Sequence, residues 1–207
     1  MLRVTLATIA AVVLGFALFL GGSVLLREEQ AAIQTAASCP LTIRHPQEPG
    51  AASRQVQWRA FISDPEGEGP RIAFEAGTYE VSGQRLPACL LRVEKLPEAP
   101  FRQVDWRLGH SVALPAGTAG GTVEFSAQLA AVPKMTFGGA SLYAFDNVTV
   151  VDSPVKTLDP EPVRHAVTLR TAASTNAVEL WLRLTIHAPI SPEGTVYLIA
   201  PTLTFRQ

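Results

Sequence analysis

The sequence predicts an all-β fold, an antiparallel β-sandwich of jelly-roll type, preceded by one N-terminal transmembrane helix. Three observations predict it. From Val4 to Leu26 the chain reads VTLATIAAVVLGFALFLGGSVLL, without charge or proline. All 16 prolines then lie at or after Pro40. Beyond that point apolar and polar residues alternate in short segments separated by turn-forming clusters, and no segment reads as a long amphipathic helix.

The apolar run is bounded by Arg3 and by Arg27-Glu28-Glu29. At about 1.5 Å per residue it reaches across a hydrocarbon core of about 30 Å. A cleaved secretory signal has a shorter apolar stretch and then a small-residue cleavage site. Here Gly21, Gly22 and Ser23 end the run and Ala36-Ala37-Ser38 lies well past it. An uncleaved signal anchor is the expectation, with cleavage the alternative. A long C-terminal domain crosses a membrane largely regardless of small charge biases, which places it outside the cytoplasm. The good helix formers of Glu28–Ala37 predict a short helical stalk, ended by Cys39-Pro40. The expected organisation is thus an anchor over 1–27, a stalk over 28–39 and an extracytoplasmic β-domain over 40–207.

Within the domain the clearest strand is Val178–Ile186, where every even position is aliphatic and the odd ones carry Glu, Trp, Arg and Thr. Thr122–Ala130 behaves likewise, with Val123, Phe125, Ala127 and Leu129 on one side. Further strands are expected over 54–62, 71–75, 78–82, 89–95, 104–114, 140–151, 163–170 and 195–205. The turn clusters are Asp64–Pro70, Gly117–Gly121 and Ser191–Gly194.

Composition excludes several function classes. The chain is 47% hydrophobic and 17% charged, with net charge -1 and mean hydropathy +0.20. Without Arg3 and Arg27 its 17 basic residues fall to 15 against 18 acidic ones, a mildly acidic domain that has no field to hold nucleic acid. There is no Gly-x-Ser-x-Gly, His-Glu-x-x-His, Gly-x-x-x-x-Gly-Lys or Gly-x-Gly-x-x-Gly, so the usual anchors of hydrolase, zincin, P-loop and dinucleotide chemistry are missing. Asp146, Asp152, Asp159 and Glu161 read as turn carboxylates, and Asp64, Glu66 and Glu68 lack the EF-hand spacing. His45, His110, His165 and His187 are scattered singly, and no Cys-x-x-Cys is present. Neither metal nor cofactor is therefore expected, and no catalytic residue. Cys39 and Cys89 would pair in an oxidising compartment; two buried free thiols are the alternative.

The second half has an order of its own. Trp106-Arg107-Leu108 leads to Val112–Gly117 (VALPAG), then to the strand Thr122–Ala127, to Ser141–Phe145 (SLYAF), to Val178–Leu184 and finally to Gly194–Leu203. Over residues 100–205 that order resembles the galactose-binding-like jelly rolls, including carbohydrate-binding modules attached to bacterial glycan enzymes. The resemblance implies a non-catalytic glycan-binding sandwich. Many such modules carry an acidic residue in the final strand where this chain has Ala200-Pro201, which speaks against a family-type calcium or ligand site there.

Strand parity separates the aromatic residues. Trp58 shares a side with Val56, Ala60 and Ile62, and Trp106 with Val104 and Leu108, so both are expected in the core. Trp181 instead projects with Glu179 and Arg183, opposite Leu180, Leu182 and Leu184. Tyr143 and Phe145 project opposite Leu142 and Ala144. A sugar stacks its C–H face on a ring while its hydroxyls find polar partners. Trp181, Tyr143, Phe145, Arg183 and Glu179 are accordingly the expected ligand-binding residues. Packing beneath a loop, or a protein partner, is open to the same side chains. The expected function is a membrane-anchored protein that binds envelope or exported polysaccharide, on the membrane through residues 4–26. The alternative is an accessory subunit of a membrane complex, for which Gly15, Gly21, Gly22 and Ser23 would allow close helix packing.

Overall fold

The computed structural model describes residues 32–45, 52–63, 71–95, 103–115, 117–146, 148–187 and 194–206. Residues 4–26, where the anchor is expected, lie outside them. No helix among the described residues is long and apolar enough to cross a membrane.

Eleven strands make up this part of the chain: β1 (Ala32–Arg44), β2 (Ala52–Ser63), β3 (Arg71–Val81), β4 (Gln84–Lys95), β5 (Gln103–Ala113), β6 (Thr122–Val132), β7 (Met135–Phe145), β8 (Val150–Leu158), β9 (Val163–Arg170), β10 (Ala177–His187) and β11 (Thr195–Arg206). They hydrogen-bond in the order β3-β4-β11-β1-β2-β5-β10-β7-β8, with β6 also on β11 and β9 on β6. The fold is all-β, and its sheet is mixed.

The expectation of a purely antiparallel sheet is corrected at β1. Thr42–Arg44 pairs parallel with Thr202–Thr204 of β11. The reason lies in β11 itself, whose Thr195–Ile199 half pairs with β4 while its second half pairs with β1. The change of partner coincides with Ala200, at φ +47°, and with Pro201, which has no N–H for the ladder. A register shift against β6 falls at the same place, between Ile199 and Thr202. A strand that changes partner at a bulge is how a sheet turns a corner.

Over 32–39 the expected helical stalk is corrected to strand, because β1 begins at Ala32, while 28–31 lie outside the described residues. Helix propensity is a weak prior that packing overrides. Here Cys39 and Leu41 of β1 are fully buried in the core, and Cys39 is joined to Cys89 of β4 by a disulfide with its Cα atoms 5.3 Å apart.

The alternating positions of the strands meet in one core. Trp58 and Trp106 are 0% and 1% exposed, and the Trp58 ring lies 6.5 Å from that of Phe125 on β6. Leu108, Leu180, Leu182 and Leu142 come to this core from one layer, and Leu91, Leu129, Leu198 and Phe205 from the other. Such packing of two inward faces is consistent with a β-sandwich.

Two of the boundaries that differ from the sequence expectation have a plain physical cause. The separate segments 71–75 and 78–82 are one strand, β3, running through Gly77. A Cβ there would lie 2.7 Å from Cδ1 of Leu90, so the glycine serves packing against β4 and does not interrupt the strand. Ser82 and Gly83, both at positive φ, make the two-residue turn into β4. The single segment 140–151 is two strands, β7 and β8, parted at Asp146. The Asp146 carboxylate accepts the Val148 and Thr149 N–H groups on one oxygen. Its other oxygen takes the Ala172 N–H and the Thr175 hydroxyl, both at 2.8 Å.

Burial raises the pKa of Asp146, but the four hydrogen bonds outweigh it and hold the carboxyl at about 2, against an ordinary 3.8. A depressed folded pKa contributes stability above the unfolded value, and that stability is lost as pH falls from about 4 toward 2. The shift corresponds to about 2 kcal/mol at most, reduced by screening near the surface. Asp146→Asn puts an N–H against the Ala172 N–H and is expected to cost about 2 kcal/mol at pH 7. The loss should shrink below pH 3, as measured by urea unfolding at the two pH values.

Candidate functional site

With Trp58 and Trp106 turned into the core, the alternate positions of β2 and β5 face outward beside those of β10 and β7. Their registers set the outward residues in rows across the strands. Arg59 is opposite Gly109, Gly109 opposite Trp181, Trp181 opposite Tyr143 and Tyr143 opposite Asp152 of β8. The next row runs Phe61, Arg107, Arg183, Ser141. On the other side Glu179 is opposite Phe145. The five residues expected from parity thus share one outer face.

The rings on this face form a group. Tyr143 stacks beside Trp181 at 6.3 Å and 10° between planes, and beside Phe145 at 6.3 Å and 22°. Phe61 approaches Trp181 from β2 at 5.2 Å, tilted by 42°. Trp181 itself is only 8% exposed, so it is the floor of the group and not an open stacking ring. Gly109 is the reason. The indole lies so close over it that a Cβ would sit 2.3 Å from Cδ2 and Cε3 of Trp181. Above the indole the Arg59 guanidinium is 5.6 Å from the ring centroid and 5.9 Å from that of Phe61, in cation–π range. Tyr143, Phe145 and Phe61 remain half-buried and present apolar surface to solvent.

Polar groups frame the rings. Arg59 is held by Glu179 at 2.6 Å. Asp105 of β5 takes Arg183 at 2.8 Å on one carboxylate oxygen and the Thr185 hydroxyl at 2.5 Å on the other. Burial raises the pKa of Asp105, yet the hydrogen bonds from Thr185 and Arg183 and the charges of Arg183 and Arg107 outweigh it and leave the carboxyl below its ordinary range. Asp105 is therefore an anion at neutral pH. The Tyr143 phenol is pushed up, chiefly by burial, and keeps its proton to donate. Trp181 Nε1 and Arg183 Nε are buried without a hydrogen-bond acceptor among the described residues. The arrangement can stack a ring and offer donors and acceptors at its edge. Among the described residues no group of His, Cys, Asp and Glu could hold a metal ion.

Arg59, Phe61, Asp105, Arg107 and Gly109 were not among the expected site residues. The signal for them is the parity that turns Trp58 and Trp106 inward, since it turns positions 59, 61, 105, 107 and 109 outward. The lone glycine inside a strand is a second signal, of close approach. Of the histidines, His110 packs 5.7 Å from Trp58, with Nδ1 2.8 Å from the Gln57 carbonyl oxygen, a structural position.

The sequence matches no family model and no curated protein. Among solved structures the chain is similar to carbohydrate-binding modules. One, described as "CBM4 structure and function", is 13% identical at a TM-score of 0.44, over 72% of this chain and 87% of that one. Another, TmCBM61 in complex with beta-1,4-galactotriose, is 11% identical at 0.42, over 66% and 88%. A family 16 carbohydrate-binding module is 16% identical at 0.40, over 65% and 86%. Likenesses at this level do not name a ligand, and the functional reading below rests on the outer face itself.

Proposed function

We propose that this chain is a membrane-anchored, non-catalytic protein that binds envelope or exported polysaccharide on the outer face of β2, β5, β10 and β7. In this reading residues 4–26 are the anchor and the β-domain, of jelly-roll type, stands outside the cytoplasm. The observation that supports it most is the continuous aromatic group Phe61, Trp181, Tyr143 and Phe145, framed by Arg59, Glu179, Arg183 and Asp105. Rings bordered by hydrogen-bonding groups on a rigid sheet match the two-sided chemistry of a pyranose, apolar above and below and polar at its rim.

Affinity gel electrophoresis of the full chain in mild detergent, through a panel of neutral and acidic polysaccharides, tests the reading. Retention is expected on at least one of them, and Tyr143→Ala is expected to weaken it by about tenfold, the loss of one stacked ring. No retention across the panel contradicts it.

A second reading, an accessory subunit, is favoured by another feature. On the outward positions of β3, β4, β11 and β6, half-buried Tyr79, Leu86, Leu90 and Tyr197 cover Ala88, Ala130 and Ile199. Sizing after gentle detergent extraction separates the two, since a stable larger complex supports the subunit reading.

A further inference from the structure

The charges of the candidate face are unevenly placed. Arg59 pairs with Glu179 at 2.6 Å, and among the described residues no other cation is paired with that carboxylate. Arg107 and Arg183, by contrast, stand directly opposite each other on β5 and β10. Like charges in direct cross-strand register are destabilising, so a sheet does not gain from the pair as such. Both turn toward one carboxylate. Asp105 Oδ2 lies 2.8 Å from Arg183 and 4.0 Å from Arg107, and its Oδ1 is taken by Thr185. One anion thus serves two guanidinium groups, and its oxygens are occupied by Arg183 and Thr185. Arg107 is left 44% exposed at the outer limit of ion-pair distance, with Phe61 opposite it on the neighbouring strand. The Nε of Arg183 has no acceptor among the described residues. Both arginines also reach the Tyr143 phenol electrostatically, as Asp105 and Glu179 do in the opposite sense.

We infer that Arg107 and Arg183 select an anionic polysaccharide, one bearing a carboxylate or a sulfate, by pairing its acidic group while its ring stacks on the adjacent aromatic group. This deepens the glycan-binding reading and rests on it. Guanidinium is suited to the task, because its planar fork meets a carboxylate or sulfate with two parallel hydrogen bonds where an ammonium offers one point charge. Asp105 acts as the positioning residue that holds Arg183 and orients the pair.

The test runs the full chain through gels of alginate, carboxyl-reduced alginate, dextran sulfate and dextran. Retention on alginate or on dextran sulfate is expected to exceed that on the neutral counterpart by at least about tenfold. Alginate alone assigns a carboxylate and dextran sulfate alone a sulfate. Arg107→Gln is expected to lose about tenfold of the acidic retention, whereas Arg164→Gln, which removes an exposed arginine from β9, leaves it unchanged. Unfolding midpoints confirm that both variants are folded. Equal retention on charged and neutral forms overturns the inference and leaves the glycan-binding reading standing. So does an equal loss in the two variants, which would show general attraction of charge. Retention on none of the four, with none on a wider neutral panel, removes the parent reading as well.

Discussion

The double variant Cys39→Ser, Cys89→Ser is expected to lose about 4 kcal/mol of unfolding free energy, the largest effect of any change considered. The bridge spans 50 residues of sequence, and in the chain-entropy treatment a closed loop of that size restricts the unfolded chain by about this amount. The native state gains as well. Both cysteines are fully buried, and serine would bring a hydroxyl into a site lined by apolar neighbours. The position of the bridge adds to its weight. Among the described residues β1 pairs with β11 over Thr42–Arg44, so the covalent link to β4 fixes the strand just ahead of that short ladder. Urea unfolding of the wild type and the double variant gives the comparison. Equal midpoints with an unchanged denaturant slope would show that β1 is held without the bridge.

A single methyl at Gly109 is expected to have the second largest effect. Gly109→Ala would place its Cβ 2.3 Å from two atoms of the Trp181 ring and 2.5 Å from a third. The indole cannot accommodate this by a small shift, because Tyr143 on β7 and Phe61 on β2 flank it. Overpacking of this kind costs about 1–3 kcal/mol, and the alternative is for Trp181 to leave the face altogether. Either outcome removes the floor of the aromatic group. The measurable signs are a lower urea midpoint and a red-shifted tryptophan emission. The emission is informative because the other two tryptophans, Trp58 and Trp106, lie in the core and are not touched by the substitution. An alanine variant with wild-type stability and emission would mean that the indole does not lie over Gly109.

Much of this was legible in the chain, for reasons that particular residues make plain. Thr122–Ala130 and Val178–Ile186 alternate without a break, and β6 and β10 match them to within about two residues, because each strand has one face in the core. The same parity brought Trp181, Tyr143, Phe145, Glu179 and Arg183 to one face and sent Trp58 and Trp106 to the other. What parity does not carry is which strands are neighbours. Arg59 and Phe61 join the site because β2 pairs with β5, and Gly109 because β5 lies under Trp181, contacts set by topology over 120 residues in the case of Arg59 and Glu179. For the same reason Trp181 reads as an open ring in sequence and is found beneath its cross-strand neighbours. β1 was hidden by composition. Its alanines and glutamine favour helix locally, and only the buried Cys39 and Leu41, the disulfide and the parallel pairing with β11 make it a strand.

The two framing carboxylates illustrate a further limit. Asp146 and Asp105 look alike in sequence, each a lone acid beside an aromatic residue. Asp146 spends all its capacity on the backbone and on Thr175, tying two turns together. Asp105 spends its own on Arg183 and Thr185 in the outer face. One is structural and the other belongs to the site, a difference made wholly by partners distant in sequence.

The central claim is that polysaccharide binds over the Trp181 floor, and tryptophan emission reports on it directly. The full chain in mild detergent is titrated with the polysaccharide that retains it most strongly. A saturable change in emission is expected for the wild type and is expected to vanish in Trp181→Phe, which keeps an aromatic ring on the face. Retention of the polysaccharide with no change in wild-type emission, or an undiminished change in Trp181→Phe, would place the binding site elsewhere and contradict the account.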